Sequence, residues 1–380
     1  MTADLTAAAA PLRRARRVRL YDFIRTAHLE RLSQMSEADL VYRSTRYDFD
    51  LSLVPSNNPP VRHGRLGTLW HLLRTPYDYA EVNEPLLRPR WWDLAAQILA
   101  LRLRNGWGAD RTVIGAYCIG LRDPVASHRG RRRLPPRWDA VYCRLMLGWL
   151  VRRMDRLAFG TDAARSALAA YVDPALIDAR ARYFPAVPAA CDCLADHDEQ
   201  AEPGRVLFVG AFDQRKGIEQ LLALWDARDP AAPENLRLHL IGKGKLLPLV
   251  ESWAQGRSDV ELTVDPPRPE IHRAYRRATV VVLLSQRIGD WREQVGLPIV
   301  EGLAHGCTIV TTSETGIATW LAEHGHTVMD PQTPPARAAV LLAEAAAMAP
   351  GRESVLSELP EQDSRIVADD WLMDREGGAE

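Results

Sequence analysis

The second half of the chain alternates short apolar runs with longer stretches whose apolar residues return every three or four positions. Arg205-Val-Leu-Phe-Val-Gly210 is followed by a loop and then by the helix-like segment 218–225. Leu236–Gly242 leads through Gly242 and Gly244 into a helix-like segment at 246–254. Helical periodicity at 269–278 precedes the wholly apolar Thr279–Ser285, and helical periodicity at 297–306 precedes Cys307–Ser313. Apolar strands alternating with amphipathic helices predict a parallel sheet covered on both faces. Ligands of such sheets bind outside the carboxyl ends of the strands. The loops at 210–217, 242–246, 285–297 and 311–316 are therefore expected to form one wall of a single cleft.

The first half has the same rhythm with weaker signals. Strands are expected at 18–24, 48–54, 77–83, 112–120 and 156–161, with helices at 26–35, 91–104 and 139–154. Segment 184–204 has two prolines early and then small and acidic residues, the composition of a linker. The organisation predicted is α/β with two Rossmann-like domains, 1–185 and 205–350, joined by 186–204. The tail 351–380 contains one more periodic stretch at 366–373, expected to be a helix that docks back on the first domain. A length of 380 residues fits two domains at roughly 100–200 residues each.

Charge and cysteine usage narrow the class. Forty-eight Lys and Arg against 49 Asp and Glu leave a net charge of −1, which argues against nucleic acid as a partner. No apolar run approaches the roughly 20 residues of a membrane span. The first residues place alanines before arginines, the reverse of a secretory signal. Five cysteines without a paired framework suit a reducing compartment, so a cytoplasmic protein is expected. Cys191-x-Cys193 has no companion at zinc spacing and reads as incidental, with Cys307 a small core residue, so no metal is expected. His63, His71 and His128 read as surface or loop histidines. Arginine clusters at 12–19 and 128–137 stand out, the second preceding a helix with Trp138 and Trp149. The stretch 128–151 is either a peripheral contact with an anionic membrane or a solvated loop followed by a buried helix.

The chemistry concentrates in Glu293-Gln-Val-Gly-Leu-Pro-Ile-Val-Glu301-Gly-Leu-Ala-His-Gly306. Pro298 suits a first helical turn. The amides of Val295, Gly296 and Leu297 then lie near a helix N-terminus, which attracts a phosphate or diphosphate. Glu301 falls about one turn into that helix, where its carboxylate can accept from a vicinal diol such as ribose, and Glu293 precedes it in the loop. The chain has three lysines, Lys216, Lys243 and Lys245, all within one thirty-residue window. The compact ammonium of Lys216 is a natural partner for a departing diphosphate.

Residues 205–345 resemble the nucleotide-binding domain of the retaining family 4 glycosyltransferases of GT-B fold. Glu293, Gly296, Leu297, Pro298, Glu301, Ala304 and Gly306 match that family's paired-glutamate motif, and Phe208–Gly217 resembles its V-G-R-x-x-x-x-K-G. The resemblance implies that Glu301 holds the nucleotide ribose, Glu293 the donor sugar and Lys216 the diphosphate. It implies further that Gly210 and the loop Gly242-Lys243-Gly244 approach the nucleotide. The family's arginine is Ala211 here, and Arg215 is the candidate to replace it. Gly316 is expected to serve backbone geometry. In the first domain the usual glycine-rich loop after the first strand is missing, and Cys118 stands where the family has a histidine. Asn83 and Glu84 end another strand and are candidates for acceptor or sugar contacts, or for a capped turn.

The activity implied is retaining hexosyl transfer from a UDP- or GDP-sugar to an acceptor hydroxyl on a glycan, a lipid-linked sugar or a natural product, with no cofactor and no metal requirement. The alternatives are a nucleotide-sugar hydrolase or epimerase of the same fold, and a non-catalytic nucleotide-binding subunit.

Overall fold

The computed structural model describes residues 16–24, 26–45, 59–106, 108, 111–127, 135–195, 199–228 and 236–374. The first sheet is built from β1 (Arg17–Ile24), β2 (Asp39–Thr45), β3 (Val61–Arg62), β4 (Tyr79–Glu81), β5 (Val113–Cys118), β6 (Arg156–Phe159) and β7 (Ala181–Tyr183). Helices α1 (Thr26–Leu32), α2 (Arg65–Arg74), α3 (Trp91–Asn105), α4 (Pro136–Arg153), α5 (Asp162–Ala169) and α6 (Pro174–Asp178) connect them. The strands are parallel in the order β3-β2-β1-β4-β5-β6-β7.

The second sheet contains β8 (Arg205–Val209), β9 (Arg237–Gly242), β10 (Val260–Val264), β11 (Val280–Leu283), β12 (Thr308–Thr312) and β13 (Thr327–Met329). Its helices are α7 (Ile218–Asp226), α8 (Leu247–Ala254), α9 (Arg268–Arg277), α10 (Leu297–Ala304), α11 (Ala318–Glu323) and α12 (Pro335–Ala347). This sheet is also parallel, ordered β10-β9-β8-β11-β12-β13. Burial explains the order. β8, β11 and β12 are buried at every position and sit centrally, whereas β10 has no fully buried position and forms an edge.

In both sheets the order reverses beside the first strand, between β1 and β4 and again between β8 and β11. Connections leave that point toward opposite faces and open a crevice at the carboxyl edge.

Two short helices, α13 (Arg352–Ser357) and α14 (Ser364–Met373), return the chain to the first domain. α14 lies against the first sheet. Leu372 and Met373 pack with Tyr79, Ala158 and Phe184 under the first sheet. Charge fixes its seat: Asp369, wholly buried, accepts from Arg19 Nη2 at 2.7 and 2.8 Å and from the Ser36 amide at 2.9 Å. Arg365 Nη2 donates to Glu81 at 2.5 Å.

Several elements differ from the sequence expectation. β2, β3, β7, α2, α5 and α6 are additional, being short, half-exposed or rich in polar residues, so their periodicity is faint. The strand expected at 48–54 lies outside the described residues, as do 12–15, 128–134 and His128. The linker is less free than its composition suggests. Glu202 pairs with Arg205 and Arg277, Glu199 pairs with Arg273 and Arg276, and the connector thereby packs along α9.

Removing one partner of a buried ion pair strands the other. Asp369→Ala is accordingly expected to lower unfolding stability by ~3–5 kcal/mol. Urea unfolding measures this, and a loss below about 1 kcal/mol would show that α14 is only loosely seated.

Candidate active site at the switch point of the second sheet

The loop leaving β8 turns sharply before α7. Asp213 caps a single 3-10 turn over 214–216 by accepting from the Arg215 amide at 2.9 Å, and Gly217 follows with φ +70°. A Cβ on Gly217 would stand 1.8 Å from the Leu284 carbonyl oxygen, so only glycine lets this loop lie against the end of β11. The Gln286 amide donates to the Arg215 carbonyl at 2.9 Å and joins the two loops across the switch point. Lys216 Nζ then meets Glu293 Oε2 in an ion pair that is mostly shielded from solvent. Trp291 lies under both basic residues, with the Arg215 guanidinium 4.9 Å and Lys216 Nζ 5.8 Å from its ring centroid. Arg215 also pairs with Asp213 at 3.1 Å and remains two-fifths exposed.

α10 begins where expected. Gly296 precedes it with φ +88°, Pro298 occupies its first turn, and no side chain caps its N-terminal amides. Those amides, Leu297's among them, carry the positive end of the helix dipole toward the crevice. Glu301 is buried one turn in. The Tyr275 hydroxyl donates to its Oε2 at 2.9 Å, and Arg268 Nη1 stands 2.5 Å from its Oε1. Each carboxylate oxygen keeps accepting capacity beyond one such bond. Burial and the Glu301 charge push the Tyr275 hydroxyl pKa upward, so it stays a donor.

The remaining second-domain candidates divide. The Gly210 amide donates to the Ile241 carbonyl, and the Phe212 amide to the Lys243 carbonyl, which packs the two loops together. A Cβ on Gly242 would lie 1.9 Å from the Gly210 oxygen, and one on Gly244 would lie 2.5 Å from the Phe212 oxygen. These glycines set loop shape. Lys243 forms an exposed pair with Asp265 at 2.6 Å. The Val295 carbonyl accepts from Thr315 Oγ1 at 2.8 Å, and the Gly316 amide donates to the Glu293 carbonyl at 3.0 Å. Gly316 has room for no side chain, since a Cβ would meet the Gln294 oxygen at 2.1 Å and a Leu121 methyl of the first domain at 3.2 Å.

Across the cleft, Glu84 Oε2 accepts from the Ile119 and Gly120 amides at 3.0 and 2.6 Å. Burial raises its pKa and the two amides work against that rise. Glu84 thus shapes the turn after β5. Cys118 is a core residue whose thiol is buried and held protonated by desolvation, with Glu84 and Glu81 adding to the effect. Asn83 instead lines a pocket with Asp22, Arg43, His63, Arg65 and Gln97. Arg90 pairs with Asp22, and both Arg43 and Arg65 reach Asp93 at 2.9 Å. The Gln97 carbonyl oxygen is buried there with no hydrogen-bond partner.

Sequence reasoning missed Arg268, Tyr275, Trp291 and this first-domain pocket. It also found no companion for the cysteine pair. Cys191 and Cys193 share one cluster with His272 and His305, companions distant in sequence that the fold brings alongside.

The class is then defined: two parallel α/β domains of GT-B architecture with an anion-attracting crevice at the second switch point. Residues 203–346 match the family model described as glycosyl transferases group 1. The match is confined to the second domain, which is similar to that family. Solved structures share the architecture over almost the whole length. WaaG, a glycosyltransferase involved in lipopolysaccharide biosynthesis, is 14% identical with a TM-score of 0.57, over 94% of this chain and 99% of that one. Anabaena HepE in complex with UDP and glucose is 12% identical with a TM-score of 0.58, over 94% and 96%. An alpha,alpha-trehalose-phosphate synthase (UDP-forming) from Burkholderia vietnamiensis is 15% identical with a TM-score of 0.58, over 94% and 99%. At these identities the likeness is one of fold. No curated protein matches the chain in sequence.

Proposed function

We propose that the chain moves a hexose from a UDP- or GDP-sugar to an acceptor hydroxyl with retention of anomeric configuration. The observation that carries this reading is the contact of Lys216 with Glu293 beside the uncapped N-terminus of α10. In this reading Lys216 and the α10 amides take the diphosphate, Glu301 accepts from the ribose diol, and Glu293 accepts from donor-sugar hydroxyls. The bond between the anomeric carbon and the β-phosphate oxygen breaks as the acceptor oxygen bonds to the same carbon from the same face. The departing phosphate takes the hydroxyl proton. Catalysis then rests on orientation and on stabilising the leaving charge. The cation balancing that charge is Lys216, so turnover is expected without added divalent metal. Known complexes of HepE with UDP and with UDP-glucose favour uridine as the base.

The pocket beside Asn83 is the proposed acceptor side. Its unpartnered Gln97 oxygen suits a ligand hydroxyl, and its two guanidiniums, Arg43 and Arg65, are matched by the carboxylates of Asp22 and Asp93. A sugar or lipid-linked acceptor that presents a hydroxyl fits that lining.

Lys216→Ala is expected to lower kcat by about 10²–10³ while changing donor KM much less. Steady-state kinetics with the matched donor measure this. A pure KM effect would reduce Lys216 to ground-state binding.

Peripheral membrane contact belongs to the same proposal. No described helix is long and apolar enough to cross a membrane. Yet neighbouring helices expose Leu66 and Trp70 of α2, Trp92 and Leu103 of α3, and Trp138 and Leu145 of α4. Arg74, Arg104, Arg137 and Arg144 are interspersed and exposed. Aromatic and arginine side chains in that mixture suit an anionic lipid surface. The chain is expected to co-sediment with vesicles containing phosphatidylglycerol but not with neutral ones, and Trp70→Ser with Trp138→Ser to abolish it. Equal retention by both vesicle types, or by neither, would contradict the assignment.

A further inference from the structure

The cysteine and histidine cluster lies behind the donor helix, away from the groups assigned to substrates. Cys191 and Cys193 come from the connector between the domains, His272 from the middle of α9, and His305 from the residue after α10. Cys193 Sγ is 3.2 Å from His305 Nε2 and 3.7 Å from His272 Nδ1. Cys191 Sγ is 3.9 Å from His272 Nδ1, and the two imidazole nitrogens are 3.2 Å apart. The two sulfurs are 2.9 Å apart, and both cysteines are free. All four ligating atoms lie within 4.8 Å of one another, with His305 buried and the others half-buried.

Four ligands around a zinc ion, with bonds of about 2.0–2.3 Å at tetrahedral angles, stand roughly 3.3–3.8 Å apart. The contacts here fall around that range. We propose that Cys191, Cys193, His272 and His305 bind one tetrahedral zinc-type cation that staples the interdomain connector to the helices carrying the donor site. Two thiolates and two imidazoles select a borderline-soft ion over magnesium or calcium. Because all four positions come from protein, the site is structural.

The surroundings are those of a supported metal site. His305 Nδ1 donates to the Glu301 carbonyl at 2.6 Å, which leaves Nε2 with its lone pair toward the sulfurs. Arg276 Nη1 donates to Cys193 Sγ at 3.5 Å. The Cys191 amide donates to the Ala304 carbonyl at 2.8 Å, so the connector is already held against the end of α10. Tyr275, which holds Glu301, stacks on His305 with centroids 5.1 Å apart. The ion would therefore stiffen the rear of the nucleotide site without touching a substrate.

The test needs no donor or acceptor, so its result is independent of the transferase reading. The reduced full-length chain, stripped with a chelator, is titrated with cobalt(II) alone. Thiolate-to-cobalt charge-transfer bands and intense visible bands of a tetrahedral site are expected to saturate at one equivalent, and zinc(II) to bleach them. Cys193→Ser is expected to lower cobalt affinity more than about 100-fold, beyond what outer-shell changes cause. His272→Cys is expected to keep one equivalent with a stronger charge-transfer band. Should a variant fail to fold, the parent chain still decides: zinc is expected to protect Cys191 and Cys193 from alkylation, read by mass spectrometry. Absence of a saturable band, an unchanged band in Cys193→Ser, or alkylation indifferent to zinc would overturn the proposal.

Discussion

A parallel sheet whose strand order reverses beside its first strand must send two consecutive connections to opposite faces. The loops beginning there cannot cover each other, and the site follows from that gap. In the second sheet the gap lies between β8 and β11, and it receives Lys216 from one loop and Glu293 from the other. Gly217 allows the first loop to lie on the end of β11, since any larger residue would strike the Leu284 carbonyl. α10 starts at the edge of the same gap, so its amides add positive potential where two basic side chains already stand. Two charged residues 77 positions apart in the chain become neighbours by topology.

The first domain reverses its strand order in the same way, with its own switch point between β1 and β4. Two crossings of the chain join the domains. The connector is clamped along α9 by Glu199 and Glu202, and the returning α14 is clamped by Asp369 and Arg19 beneath the first sheet. Leu121 approaches Gly316 across the interface, so a residue from each domain limits how the cleft edges meet. The proposed cation sits on the connector side and shares His305 and Tyr275 with the support of Glu301. The proposed ion there and the proposed lysine-balanced diphosphate in front would be separate uses of charge in one domain.

Legibility in the sequence followed burial. Strands buried on both faces write themselves as continuous apolar runs, and β8, β9, β11 and β12 were placed within a residue or two. The start of α10 was readable from Gly296, Pro298 and the two glutamates. β2, β7 and α2 were not, because half-exposed elements mix polar residues into their period. Interactions between distant segments were the larger gap. Arg268, His272 and Tyr275 share a face of α9 at spacings of four and three, a readable pattern, but nothing local says that the face meets Glu301 and the cysteines. The Cys-x-Cys pair seemed to lack companions because they lie 79 and 112 positions from Cys193. Glu84 and Cys118 were recognised as strand-end residues, while their commitment to the turn after β5 and to the core depends on contacts that spacing does not carry.

The central claim is that the crevice between β8 and β11 holds a nucleoside diphosphate through Glu301 and the start of α10. Titration calorimetry of UDP and GDP into the full-length chain, without added divalent metal, tests it most directly. The account predicts one binding site for one of the two nucleotides, with affinity reduced at least about tenfold in Glu301→Ala, a loss of roughly 1.4 kcal/mol. Binding of neither nucleotide, or binding unchanged by Glu301→Ala, would contradict it.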